Sequence, residues 1–139
     1  MTFFDRSAVP QIVLVVEDEI LLRMLAVDMV EDAGYTSLEA ADADEAFAIL
    51  ESRSDVALLF TDIQMPGSMD GLQLAHVVYR RWRPIKIILV SGQLRPLRND
   101  IPLESRFFGK PLVSGEIVAE MQDMIGHAWP PATGSRKSA

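Results

Sequence analysis

The chain of 139 residues contains no cysteine. That single absence removes disulfides, thiol nucleophiles, iron–sulfur clusters and cysteine-based zinc sites. No apolar run approaches the roughly 20 residues a membrane helix needs. At the start, Asp5 and Arg6 interrupt the apolar stretch that a signal peptide would require. Positive charge is scarce: 13 Lys and Arg face 20 Asp and Glu, for a net charge of −7 and a pI near 4.7. Such a chain is repelled by phosphate backbones, so nucleic-acid binding is not expected as its main role. What remains is ordinary for a globular domain, with 49% apolar and 24% charged residues. The expectation is a soluble cytoplasmic protein, with residues 1–10 as an N-terminal extension, 11–127 as one domain and 128–139 as a flexible tail.

Short apolar runs set the fold class. Ile12–Val16, Val56–Phe60 and Ile85–Val90 are nearly continuous and rich in β-branched residues, as strands covered on both faces are. Arg106–Phe108 reads as a shorter edge strand, and a weak strand around Tyr35 to Glu39 makes five. Between them, apolar residues recur at helical spacing. Leu22, Leu25, Ala26, Met29, Val30 and Ala33 mark one core-facing stripe, with Gly34 as its stop. Asp42 and Glu45 form a candidate capping box for a second helix. Leu74, Val77, Val78 and Trp82 mark a third, opening near Asp70 and closed by Pro84. Ile117, Met121, Met124 and Ile125 mark a last one, with Ser114 as the expected cap. Pro96 and Pro102 leave room for a turn or two of helix between Gln93 and Pro102. The alternation predicts right-handed βαβ crossovers and a doubly wound α/β domain around a parallel sheet.

Ligands of such sheets bind at the carboxyl ends of the strands. Glu17, Asp18 and Glu19 follow the first strand, Thr61 and Asp62 the third, Ser91 and Gly92 the fourth, and Gly109, Lys110 and Pro111 the fifth. Glu17, Asp18 and Asp62 should therefore converge. Carboxylates about 4 Å apart repel by roughly 4 kcal/mol per pair at an effective dielectric of about 20, so something positive must compensate. Lys110 supplies one charge, and a hard divalent cation such as Mg²⁺ would supply two. Carboxylates, a lysine and a hydroxyl together form a phosphoryl-transfer constellation in which one carboxylate attacks in line.

These motifs have a counterpart. Val13-Leu14-Val15-Val16-Glu17-Asp18-Glu19, the Phe60–Pro66 and Met69–Gly71 stretches, Ile88–Gly92 and Phe107–Pro111 resemble the receiver domain of two-component response regulators. The likeness runs from Gln11 to His127. It implies a flavodoxin-like five-stranded (βα)5 receiver fold. It also implies that Asp62 accepts a phosphoryl group from a histidine kinase or histidine phosphotransfer protein. By the same resemblance Asp18 and Asp62 ligate Mg²⁺, Gln64 completes the shell through its backbone carbonyl, and Glu17 acts through water. Ser91 is then the switch hydroxyl, Lys110 the phosphoryl-contacting lysine, and Phe107 the aromatic that swings inward. The implied protein is a stand-alone receiver that binds a downstream partner, relays or absorbs phosphoryl groups, and forms a homodimer if phosphorylation favours one. It would not be an enzyme beyond its own Mg²⁺-dependent phosphorylation and dephosphorylation.

The chain also departs from the family. The loop after Asp62 is one residue longer than common. The stretch from Ser91 to Lys110 is short, and Pro102-Leu103-Glu104 replaces the small pair that usually precedes the fifth strand. The family's fourth helix is therefore expected to be shortened, irregular or mobile. Two other functions remain in view: a pseudo-receiver adaptor that works unphosphorylated, and an aspartyl-phosphate phosphohydrolase. The hydrolase reading is weakened by Gln64, which stands where a general acid–base would be needed and cannot shuttle protons. Several features have plainer readings. Phe107 could be simple core beside Phe108, Arg80 to Arg83 a solvated helix end with Trp82 packed, and the seven methionines core filler. His76 and His127 carry no signal, and Phe3 and Phe4 could pack on the domain or support a dimer.

Overall fold

The computed structural model describes residues 11–128. The parallel sheet has the order β2-β1-β3-β4-β5, with strands β1 (Ile12–Val16), β2 (Thr36–Ala40), β3 (Val56–Asp62), β4 (Lys86–Ser91) and β5 (Arg106–Gly109). Helices α1 (Ile20–Asp32), α2 (Ala43–Ser52), α3 (Gly71–Arg81) and α4 (Ser114–Ile125) cover its two faces. The side-chain alternation of each strand divides the core. Leu14, Val16, Leu59, Ile87 and Leu89 pack with Ala46, Leu50, Leu74 and Val78 of α2 and α3. Val13, Val15, Leu58, Phe60, Ile88 and Val90 pack with Met29, Val30, Ile117 and Met121 of α1 and α4. Each fully buried Leu or Ile contributes about 1.5–3 kcal/mol, so the strands the sequence marked most clearly carry most of the stability.

Local signals set the helix ends. Gly34, at φ +95°, donates its amide to the Glu31 carbonyl and stops α1. Asp42 caps α2 by accepting from the Glu45 amide at 2.9 Å, and the Glu45 carboxylate accepts from the Ala41 amide at 2.8 Å. Asp70 and Gln73 form a reciprocal capping box at the start of α3. Ser114 is not a cap: it is the first residue of α4, Val113 precedes it, and no side chain caps that end.

The (βα)5 pattern is complete in its strands and reduced in its helices. Between β4 and β5 the chain forms a three-residue 3-10 turn, Arg98–Asp100, in place of a fourth α-helix. Pro96 and Pro102 withhold two backbone donors, and Ile101 anchors the segment in the core. Ser105 Oγ donates to the Pro102 carbonyl at 2.6 Å, and the His76 ring contacts the Asp100 carbonyl at 2.8 Å. Ala128, expected to begin the tail, is buried against the α1 and α4 side of the core. Residues 1–10, with Phe3 and Phe4, and residues 129–139 lie outside the described residues.

Candidate functional site

The switch in strand order lies between β1 and β3, whose neighbours across the sheet are β2 and β4. Val16 stands opposite Thr61, so Glu17 and Asp62, the next residues, lie side by side at the carboxyl edge. Glu17 and Asp62 are 5% and 6% exposed, while Asp18 faces solvent. One carboxylate oxygen from each of the three lies within 4.8 Å of the others. Lys110 Nζ reaches across from the end of β5 and sits 3.1 Å from both Glu17 Oε1 and Asp62 Oδ1. The cis peptide between Lys110 and Pro111 follows immediately.

Backbone contacts hold this edge in place. The Lys110 amide donates to the Ser91 carbonyl at 2.9 Å, and the Ile63 amide to the Val90 carbonyl at 2.8 Å. Thr61 Oγ1 donates to the Asp62 carbonyl at 2.9 Å. The Gly71 amide donates to the Ile63 carbonyl at 2.7 Å, and a Cβ on Gly71 would overlap the Asp62 carbonyl oxygen. Glycine is thus required where α3 starts against Asp62. Arg23, which sequence reasoning passed over, donates to the Glu17 carbonyl at 2.9 Å and pairs with Glu39 at 3.1 Å. Its only signal in the sequence was a charge inside an otherwise apolar helix segment.

Electrostatics single out Asp62. Burial, above all, pushes its carboxyl up to about 6; the Glu17 and Asp18 charges add to the rise and Lys110 opposes it. For Lys110, burial pulls downward, but hydrogen bonds to Glu17 and Asp62 prevail and its ammonium titrates above its usual range. The cluster has an all-oxygen donor set with one cation against three carboxylates, which suits a hard divalent ion better than a softer transition metal.

Ser91 ends β4, 2% exposed, and its Oγ accepts from the amides of Gln93 at 3.3 Å and Leu94 at 3.0 Å. Phe107 stands opposite Leu89 and packs, half-buried, on the α2 and α3 side, whereas Phe108 packs on the other side. The Gln64 side chain is exposed on the loop after β3. The structure therefore brings Glu17, Asp18, Asp62 and Lys110 together, and places Ser91, Phe107 and Gln64 at the adjoining ends of β4, β5 and β3.

One flank of the site departs from the expected core stripe. Leu25 is 64% exposed, and so are Ile20, Leu21 and Met24, each more than half. Of these, Leu25 lines a cleft of about 570 Å³ between α1 and the start of α4, whose walls also include Leu22, Met29, Phe60 and Leu112 and whose lining reaches Asp62 and Lys110. Leu25 is left out of the core because it faces this cleft, and Met24 is exposed on the same helix.

Comparison with known proteins now bears on this geometry. The response regulator receiver domain family matches residues 13–99. This chain belongs to that family. Receiver-family relatives include the sensor kinase CckA of Brucella abortus, 32% identical over 81% of this chain and 12% of that protein. The nitrogen assimilation regulatory protein NtrX of Azorhizobium caulinodans is 36% identical over 58% of this chain and 18% of its own length. The chain thus spans well under half the length of these relatives. Among solved structures, a response regulator receiver protein from Sinorhizobium medicae superposes with a TM-score of 0.77 at 23% identity, covering 83% of this chain and 94% of that one. The chemotaxis protein CheY4 of Vibrio cholerae gives 0.75 at 22% identity, covering 84% and 100%. At these identities the structures speak for the receiver fold. Among the described residues no helix is long and apolar enough to cross a membrane.

Proposed function

We propose that this receiver accepts a phosphoryl group on Asp62 from a phosphohistidine on a histidine kinase or phosphotransfer protein, and signals through phosphorylation-dependent binding to another protein in the cytoplasm. The observation that carries this reading is the placement of Lys110 Nζ, 3.1 Å from Asp62 and from Glu17, inside a cluster of three carboxylates. A structural core would not assemble three acids around one lysine at the end of a sheet. A phosphoryl-transfer site would, because each group has work to do there.

In the proposed step an Asp62 carboxylate oxygen forms the new P–O bond as the P–N bond to the donor imidazole breaks, and the imidazole nitrogen keeps the electron pair. Asp18, Asp62 and the Gln64 backbone carbonyl would hold Mg²⁺, with Glu17 acting through water. When bound, that ion supplies positive charge for the phosphoryl oxygens. Lys110 leaves its bond to Asp62 and takes a phosphoryl oxygen, while its contact with Glu17 keeps it in place. Ser91 donates its hydroxyl proton to another phosphoryl oxygen, and Phe107 repacks behind it. The donor must approach the mouth shared by Asp62 and Lys110. Leu25, which lines the same cleft as Asp62 and Lys110, and the exposed Ile20, Leu21 and Met24 of the same helix would then form the donor's docking surface.

Intact mass spectrometry with Mg²⁺ and acetyl phosphate, or a phosphorylated histidine kinase, tests the reading. One Mg²⁺-dependent phosphoryl adduct, lost in Asp62→Asn, is the expected result. No adduct from either donor, even at short times, would leave a phosphorylation-independent adaptor as the function.

A further inference from the structure

The loop that replaces the fourth helix carries one charged residue back onto the sheet edge. The Arg95 guanidinium lies over the Phe107 ring, 5.5 Å from its centroid. It also lies along Gly109: a Cβ there would stand 3.2 Å from Arg95 Nη1, tighter than ordinary contact. Arg95 thus spans Phe107 and Gly109, two β5 residues whose partners in β4 are Leu89 and Ser91. The same loop is tied to Ser91 at its other end, because Ser91 Oγ accepts the Gln93 and Leu94 amides. Ser91 and Phe107 are therefore joined by a strap of only a few residues.

We infer that Arg95 is a positioning residue that couples Ser91 to Phe107, holding the aromatic in its resting pose until Ser91 turns. The inference rests on the phosphoryl-switch reading above. Both lone pairs of the Ser91 hydroxyl are committed to the loop amides in the resting state. Rotating that oxygen onto a phosphoryl group deprives the Gln93 and Leu94 amides of their acceptor. The loop start must then shift, and Arg95, the next residue, moves with it. Once the guanidinium leaves its ring, Phe107 is released to repack. The link runs through a short loop because no α-helix intervenes between β4 and β5 to carry the motion. A cation over a half-buried ring biases such an equilibrium by about two- to fivefold.

The test uses the full chain with ¹³C-labelled phenylalanine and ¹⁵N-labelled backbone. The Phe107 ring and the Leu94 and Gly109 amides are followed by NMR, with and without Mg²⁺ and beryllofluoride as the acyl-phosphate probe. Arg95→Ala, without the probe, should move these signals part of the way toward their positions in the probe-saturated wild type. Arg95→Lys, which keeps a cation, should leave these signals close to their wild-type resting positions. In a Phe107→Leu background, Arg95→Ala should add little further displacement of Leu94 and Gly109, because the ring it acts on is gone. Resting signals unmoved by Arg95→Ala, or displaced equally in the Phe107→Leu background, would overturn the coupling while the Asp62 adduct still formed. Absence of any adduct or probe response in the wild type would instead overturn the phosphoryl-switch reading, and the coupling with it.

Discussion

At the amino-terminal end of the sheet, Arg53 meets Asp55 at 2.9 Å and Arg81 meets Glu51 at 3.4 Å. Arg81 also lies over the rings of Phe47 and Trp82, and Arg83 over that of Tyr79. Every charge in that group has an opposite charge or an aromatic face, and the guanidinium-bearing residues are exposed. At the carboxyl end, Glu17 and Asp62 are buried together beside Asp18, with Lys110 shared between them. The first arrangement is consistent with stability alone. The second opposes stability locally, since it buries like charges that a neutral substitution would relieve. The proposed phosphoryl-transfer role would account for keeping unfavourable charge at one end of a fold that satisfies its charges at the other.

Asp62→Asn should break this contrast most completely. The phosphoryl adduct disappears, read by intact mass, and the folded state gains about 1–2 kcal/mol at neutral pH, read by urea unfolding, after allowance for solvent screening. The sign follows from a folded pKa of about 6 above an ordinary 3.8. The folded protein holds the Asp62 proton more tightly than the unfolded chain does. The cost of the charge is therefore absent below the ordinary value and complete above about 6. Wild-type stability should fall across that window as pH rises, and this component should vanish in the Asn variant.

Lys110→Met keeps the bulk and removes the cation. Phosphorylation of Asp62 by acetyl phosphate should slow by about 10- to 100-fold, and the Asp62 carboxyl should titrate still higher by NMR. An unchanged rate would place Lys110 outside the chemistry. Adding Mg²⁺ at about 100 times its dissociation constant should stabilise the wild type by about 2.7 kcal/mol, seen as a rise in Tm. The double variant Asp18→Asn, Asp62→Asn should show no such rise. At the opposite end, Arg81→Ala should cost about 0.5–1 kcal/mol through its ring and carboxylate contacts and leave the phosphorylation rate unchanged. A change in that rate would mean that the two ends are coupled.

The residues the sequence read best were those whose role is local or periodic. Continuous β-branched runs gave the strands, Gly34, Asp42 and Asp70 gave helix boundaries, and the acids after β1 and β3 gave the carboxylate cluster. Ser114 misled because a serine before an apolar stripe suits both a cap and a first turn, and only backbone geometry separates them. Leu25 misled because periodicity identifies an apolar stripe but not what covers it. Arg23 and Arg95 were missed because their contacts, with the Glu17 carbonyl and the Phe107 ring, depend on how a helix and a loop turn back onto the strand ends.

By itself the sequence determined a parallel α/β domain and, through the ends of its strands, which carboxylates and which lysine would meet. Alternation and capping are short-range physics, and parallel strands bring their carboxyl ends to one edge whatever else the chain does. Tertiary structure decided the rest. It opened the cleft between α1 and α4, laid Arg95 across β5, and pressed Gly71 against the Asp62 carbonyl. Those features depend on how far apart two packed elements come to rest, a distance set by all of their contacts at once and written in no single segment.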